Sequence, residues 1–224
     1  MVVKLYTTEL SPPVRASLMA CDIFNVPYEN VEVDLKDMQH LGPEFLSKNP
    51  LKTFPVLEDD DFILHDSHAI LMYLADAYGT DDAWYPRDHK TRALVNQKLF
   101  FDTTVLFPRL KNITYALVIE RRATLKQKWL DNIDEGYGLL ETFLSKSAFI
   151  ATDSITIADI SAYSNMSCLA HVVPVDENKF PETSRWCKDM KEQSYCIKHN
   201  NPSAATFGDL LKQCRQSTST LRTN

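Results

Sequence analysis

The sequence predicts an α/β domain followed by an all-α domain. Over the first 78 residues, short apolar segments typical of strands alternate with helical patterns. Strand signals disappear after the break at Gly79-Thr80-Asp81-Asp82, and only long helical periodicities follow. We therefore expect a first domain at 1–79, a linker at 80–88 and a helical domain at 89–224.

The first domain begins with a strand, a helix and a strand. Val2 to Tyr6 is a short apolar run, and Ser11 followed by two prolines is typical of a helix start. From Tyr28 to Leu35, apolar and polar residues alternate, which indicates a half-buried strand. These elements predict a βαβ unit.

Two further strands and a helix complete this domain. Phe54 to Glu58 and Phe62 to Leu64 flank an acidic turn, a pattern typical of a β-hairpin. Asp66 then precedes a segment with apolar residues at helical spacing. The predicted order is βαβ, then ββα.

The second domain contains helical patterns at about 90–119, 124–144, 156–171 and 182–193. Thr156 and Asp159 match a capping box, and Ile155 and Ile160 are placed as its hydrophobic staple. The residue types therefore predict a helix that begins immediately after Thr156.

Composition excludes several classes of function. The 24 Lys and Arg are outnumbered by 30 Asp and Glu and form no basic run, so nucleic acid and membranes are not expected partners. The five glycines form no phosphate-binding motif. Five cysteines without CxxC spacing indicate neither a disulfide framework nor a zinc site, so we expect no metal and a cytosolic location.

Several motifs resemble, in order and spacing, those of insect cytosolic glutathione transferases of the delta and epsilon classes, with epsilon the closer. They are SPPVRA at 11–16, HLGPEFL at 40–46, FPVL at 54–57, DSHAI at 66–70 and TIAD at 156–159. The resemblance implies a thioredoxin-like N-terminal domain and a helical-bundle C-terminal domain. It also implies a homodimeric enzyme that uses glutathione as co-substrate and joins it to a hydrophobic electrophile.

Ser11 is the catalytic residue that the resemblance implies. Only the thiolate of glutathione attacks electrophiles quickly, and a hydroxyl at a helix N-terminus can stabilise it. Two alternatives stay open. Ser11 could serve only as an N-cap, or Tyr6 could supply the hydroxyl, as tyrosine does in other transferase classes.

The resemblance also assigns residues to the cysteinyl and γ-glutamyl parts of glutathione. Phe54 and Pro55, joined by a cis peptide bond, would pair with the cysteinyl unit. Asp66 and Ser67, at a helix start, would hold the γ-glutamyl ammonium and carboxylate groups. The alternative for this pair is simple helix capping, and both roles can be filled at once.

At two positions the chain departs from the family pattern. Asp66 replaces the usual glutamate, and Lys52 replaces the usual histidine. We expect Lys52 to bind the glycine carboxylate as a point charge, supported by His40. The other residues assigned to glutathione are Thr53, His68 and Lys111, with His68 packing beneath the site.

A hydrophobic substrate pocket is expected beside the thiol. Residues spaced by four on the first bundle helix form one stripe, for which core packing is the alternative interpretation; they are Phe107, Lys111, Tyr115 and Ile119. Further candidates are Leu10, Pro13 and Phe207.

Detoxification of xenobiotics or insecticides is the expected role. The alternatives are a transferase of a hormone pathway, a non-catalytic carrier of hydrophobic ligands, and a scaffold for protein association. An intact thiol site with Ser11, Asp66 and Ser67 argues against the scaffold.

Overall fold

The structure is a computed structural model that describes residues 2–8, 10–35, 37–122 and 124–220, with side chains up to residue 214. Its first part has the predicted βαβ and ββα order, with a short 3-10 turn at Gln39–Leu41. The elements are β1 (Val3–Thr7), α1 (Pro12–Ile23), β2 (Tyr28–Glu32), α2 (Pro43–Lys48), β3 (Val56–Asp59), β4 (Phe62–His65) and α3 (Ser67–Tyr78).

Within these ranges, the strands form one sheet in the order β2-β1-β3-β4. β1 is parallel to β2 and antiparallel to β3, and β3 is antiparallel to β4. The register pairs Tyr6 with Val56 and Val56 with His65. The end of β1, the start of β3 and the end of β4 therefore lie side by side at one edge of the sheet.

β2 is shorter than the strand predicted from the alternation of Val31, Val33 and Leu35. It ends at Glu32, which pairs with Thr7, the last residue of β1. Val33 donates one more backbone hydrogen bond to Thr7, and Leu35 is 46% exposed. The chain leaves the sheet here because the neighbouring strand has ended.

The second part is helical, as predicted. π-helical turns at Asp102–Leu106, Tyr115–Ile119 and Cys196–Asn200 adjoin the α-helices. The α-helices are α4 (His89–Phe101), α5 (Phe107–Thr114), α6 (Gln127–Leu144), α7 (Ile157–Leu169), α8 (Pro181–Lys191) and α9 (Asn201–Thr220). In the described part of the chain, no helix is long and apolar enough to cross a membrane.

α9 is not among the predicted helices. Pro202, Gly208 and many Ser and Thr residues give this segment a weak helix propensity. Ala204, Phe207 and Leu211 are nevertheless buried, at spacings of three and four. Packing of this narrow apolar stripe outweighs the local preference.

α7 is the central helix of the molecule. Every residue of α7 except Ser167 is buried, and the helix contacts α1 and α3 of the first domain and α4, α8 and α9 of the second. The predicted capping box forms at its start. One hydrophobic core therefore continues across both domains, with α7 in its middle.

Candidate functional site

Three predicted site segments meet at one edge of the sheet. Ser11 follows β1, Phe54 precedes β3 and Asp66 follows β4, and the register places these strand ends next to one another. Adjacent strands lie about 4.8 Å apart, so three strand ends span about 10 Å. An extended tripeptide has about the same length.

Ser11 occupies the N-cap position of α1, but its side chain makes no capping hydrogen bond. Pro13, at the second helical position, has no N–H to donate, so one of the two usual donors to a capping side chain is missing. Val14 supplies the first N–H of the helix, and that of Arg15 is bonded to the Ser11 carbonyl at 3.1 Å. The N-terminus of α1 thus offers fewer N–H donors than an ordinary helix, and the partly exposed Ser11 hydroxyl is available to donate.

Tyr6, the alternative hydroxyl, has a partner. Its hydroxyl donates to Glu58 Oε2 at 3.0 Å, and Glu58 also pairs with Lys48 and Lys4. The hydrogen bond from Lys48 is the main cause that lowers the pKa of Glu58 to about 2. The ring of Tyr6 packs against Phe45 of α2, and its hydroxyl belongs to this charged cluster.

The Phe54–Pro55 peptide bond is cis, as the resemblance implies. Phe54 lies two residues before Val56 and therefore outside the strand ladders. Its ring centroid is 6.3 Å from that of His40. The Nδ1 atom of His40 is buried without a hydrogen-bond partner among the described residues, so His40 has an unused polar atom beside Phe54.

Asn49 shapes the loop that carries Lys52. The buried Asn49 side chain donates to the Thr53 carbonyl at 2.8 Å and accepts the Leu51 N–H at 2.9 Å. Lys52 adopts a left-handed conformation with φ 58, which is uncommon for a residue other than glycine. Its exposed side chain forms no ion pair with any residue that the structure describes. Sequence reasoning assigned no role to Asn49, although it holds this loop in place.

Asp66 caps α3. Its Oδ1 accepts the N–H groups of His68 at 2.9 Å and Ala69 at 3.3 Å, so the predicted cap is present. Ser67 is buried, and within the described residues its N–H and hydroxyl have no recorded hydrogen bond. The hydrogen bond from His68 lowers the pKa of Asp66, which is therefore ionised at neutral pH. The start of α3 thus offers an exposed carboxylate next to unused donors.

His68 connects this helix to the second domain. Its Nδ1 lies 3.3 Å from Asp66 Oδ1 and its Nε2 lies 3.0 Å from Asp102 Oδ2. Burial favours a lower pKa for His68, but the hydrogen bonds to Asp102 and Asp66 outweigh it and raise the pKa to about 9. His68 is therefore a cation between two carboxylates at neutral pH.

Asp102 is a residue that sequence reasoning missed. It is buried in the first π-helical turn and also accepts hydrogen bonds from Ser161 Oγ at 2.7 Å and Asn165 Nδ2 at 2.9 Å. The available signal was an aspartate that directly follows the apolar run Leu99-Phe100-Phe101 in a predicted helix.

The candidates for the second substrate differ in burial. Leu10, Pro13 and Phe107 are partly exposed, and Lys111 and Tyr115 are exposed. Ile119 is 64% exposed and lies outside the core, whereas Phe207 is 4% exposed and belongs to it. That these residues line a substrate pocket stays a prediction.

Comparisons with known proteins find matches to both parts of the chain. A family model described as "Glutathione S-transferase, N-terminal domain" matches residues 5–82, and one described as "Glutathione S-transferase, C-terminal domain" matches residues 89–194. Glutathione S-transferase 1 of Manduca sexta is 37% identical over 94% of this chain and 98% of its own length.

Two solved structures superpose closely. An epsilon-class glutathione S-transferase from the housefly Musca domestica has a TM-score of 0.92 and 38% identity, covering 95% of this chain and 98% of its own. A glutathione transferase homologue from Drosophila mojavensis, solved with bound glutathione, has a TM-score of 0.91 and 35% identity, covering 95% and 97%.

Proposed function

Because the chain belongs to the glutathione S-transferase family, with delta-class and epsilon-class insect enzymes among its relatives, we propose that Ser11 holds glutathione as a thiolate for attack on a hydrophobic electrophile. The observation that carries this proposal is the Ser11 hydroxyl, which makes no capping bond at the start of α1. A free thiol with a pKa of about 8.5 is mostly protonated at neutral pH. A hydroxyl that donates to the sulfur favours the anion and lowers that pKa.

Glutathione would lie along the three adjacent strand ends. Its cysteinyl backbone would pair with Phe54, which lies outside the strand ladders. Its γ-glutamyl ammonium would contact the ionised Asp66, and its γ-glutamyl carboxylate would accept from the N–H and hydroxyl of Ser67. This arrangement matches both charged groups of the γ-glutamyl unit with a group of opposite charge or a donor.

The glycine carboxylate would bind the ammonium of Lys52. His40 would support it with its unused Nδ1, and the bonded Asn49 and Thr53 would hold the loop. Lys111, exposed on α5, would add a second positive charge from the helical domain. The ammonium of lysine is charged at neutral pH and can pair with a carboxylate, whereas a histidine carries a charge only when it is protonated.

The electrophile would lie between Ser11 and the segment formed by α5 and the π-helical turn that follows it. Leu10, Pro13 and Phe107, which are partly exposed, and Tyr115 and Ile119, which expose large apolar surfaces, would line this pocket. Burial of such surface favours a hydrophobic substrate. We infer a role in detoxification from this apolar character.

We further propose a homodimer in the cytosol. Leu94 and Phe100 on α4 and Ile63 on β4 are exposed apolar residues that a second copy would cover. Cys21 and Cys168 are free thiols, as is typical of proteins from reducing compartments. Sedimentation equilibrium tests the dimer, and a monomer mass at micromolar concentration would contradict it.

The catalytic proposal is tested by titrating the ultraviolet absorbance of the glutathione thiolate in complex with the protein. We expect a thiol pKa of about 6 to 7 in the wild type and about 8.5 in Ser11→Ala. Tyr6→Phe is the matched control and should keep the lowered value. A shift that Tyr6→Phe abolishes would assign the role to Tyr6, and binding without any shift or turnover would favour a carrier.

A further inference from the structure

Arg15 is an unusual buried cation. It lies one helical turn after Ser11 on α1 and is 1% exposed. Its Nη2 donates to the Ser164 carbonyl at 2.7 Å and contacts Cys168 Sγ at 3.0 Å. No carboxylate pairs with it among the described residues, and its Nε and Nη1 are buried without partners. Burial of a charge without a counter-ion costs free energy, so stability alone does not explain an arginine here.

The atoms that Arg15 contacts lie on the part of α7 that also holds Asp102. Ser161 and Asn165 of α7 donate to Asp102, and the Ser164 carbonyl between them in sequence accepts from Arg15. Asp102 in turn bonds His68, the neighbour of Ser67. One turn of α7 is therefore tied both to the start of α1 and to the start of α3.

We propose that Arg15 is a positioning residue for Ser11, fixing the N-terminus of α1 on the turn of α7 that also positions α3. The separation between Ser11 and the Asp66-Ser67 pair is then set by a common support in the helical domain. This inference rests on the proposed function of Ser11. Misplacement of a reacting group by about 1 Å can cost about a hundredfold in rate, which is reason enough to retain a costly buried charge.

A positioning role and a structural role predict opposite effects on stability. Methionine fills a volume similar to that of arginine without a charge, and replacing buried charges by apolar residues is often neutral or stabilising. Arg15→Met should therefore fold with an unchanged or higher urea midpoint. Because residues outside α1 hold both ends of glutathione in the proposed function, its dissociation constant should change less than about threefold.

Lys198→Met is the matched control. Lys198 pairs across the domains with Asp22 at 2.8 Å, near the other end of α1. Asp22 is eleven residues after Ser11, which is about 16 Å along a helix. This variant also removes a tether between α1 and the helical domain, but far from the thiol.

The experiment measures urea midpoint, glutathione affinity, turnover with a hydrophobic electrophile and the pKa of the bound thiol in both variants and in Ser11→Ala. In Arg15→Met we expect turnover to fall at least tenfold, to about a hundredfold, and the thiol pKa to rise toward its free value. Lys198→Met should match the wild type in turnover and thiol pKa.

Three results would overturn the inference about Arg15. The first is a lowering of the thiol pKa that disappears in Ser11→Ala but is kept in Arg15→Met. The second is an Arg15→Met protein that does not fold. The third is a loss of turnover in Lys198→Met equal to that in Arg15→Met. A lowered thiol pKa that survives Ser11→Ala would instead contradict the serine mechanism, and with it any need to position Ser11.

Discussion

The imidazole of His68 joins the two domains, because its Nε2 lies 3.0 Å from the buried Oδ2 of Asp102 while its Nδ1 faces Asp66. His68 stands in the first turn of α3, beside the proposed γ-glutamyl subsite, and Asp102 follows α4. The first domain thus depends on the second for the orientation of the helix start at which we propose that glutathione binds.

The pH dependence of stability should reveal this cation. The pKa of His68 is raised to about 9 in the folded protein, against 6.5 for the free side chain. Its stabilising effect is therefore fully present below about pH 6.5 and is lost as the pH rises through 9. We expect the free energy of unfolding to fall by up to about 3 kcal/mol over this range.

Urea denaturation at several pH values in wild type and His68→Gln measures this effect. Other groups also titrate in the same range, so the difference between the two proteins is the relevant quantity. Parallel stability profiles from pH 6 to pH 9 would show that His68 is not charged as described.

Removal of Asp102 should destabilise the protein strongly. Asp102→Ala deletes the acceptor for His68, Ser161 and Asn165, and leaves the His68 charge without its buried partner. Breaking a buried ion pair costs about 3 to 5 kcal/mol. Asp76→Ala, which removes an exposed pair with Arg92, should cost at most about 1 kcal/mol. Equal urea midpoints for the two variants would contradict this ranking.

Glutathione affinity should depend on Lys52. We expect Lys52→Ala to weaken binding about tenfold, the scale of one exposed charge-assisted hydrogen bond. Calorimetric titration measures the dissociation constant, with Lys90→Ala, an exposed lysine on α4, as the control. An unchanged dissociation constant in Lys52→Ala would remove Lys52 from the site.

The capping box of α7 should contribute more to the free energy of unfolding than its sequence pattern indicates. A capping residue typically contributes about 1 kcal/mol, and we expect that loss for Thr156→Ala. Asp159 is fully buried and accepts four hydrogen bonds, from Ile150 N, Thr156 N, Thr156 Oγ1 and Trp186 Nε1, each at 2.9 to 3.0 Å. Asp159→Ala should therefore cost about 3 kcal/mol. If the thermal or urea midpoint of Asp159→Ala is no lower than that of Thr156→Ala, the additional hydrogen bonds of Asp159 contribute little to stability.

Local patterns were sufficient to predict most elements of the fold. Ser11 with its prolines, the hairpin before His65 and the capping box at Thr156 each depend on residues within a few positions of one another, and each is present. Where propensity and packing disagree, as along α9, the local pattern was not sufficient. The end of β2 also depended on a partner, because Thr7 closes the neighbouring strand.

The sequence by itself therefore determined the order of the elements in the first domain, the family and the residues that begin α1, α3 and α7. Tertiary structure alone decided which polar groups form hydrogen bonds with each other. The pairs are Tyr6 with Glu58, His68 with Asp102, and Arg15 with the Ser164 carbonyl. These partners are 52, 34 and 149 positions apart in the chain. Helical and strand periodicity specifies which face of an element is buried, but it does not specify which distant groups meet. The pairing of β1 with β3 brings Tyr6 to Glu58. The packing of α1, α3 and the first π-helical turn on α7 brings Arg15 to Ser164 and His68 to Asp102.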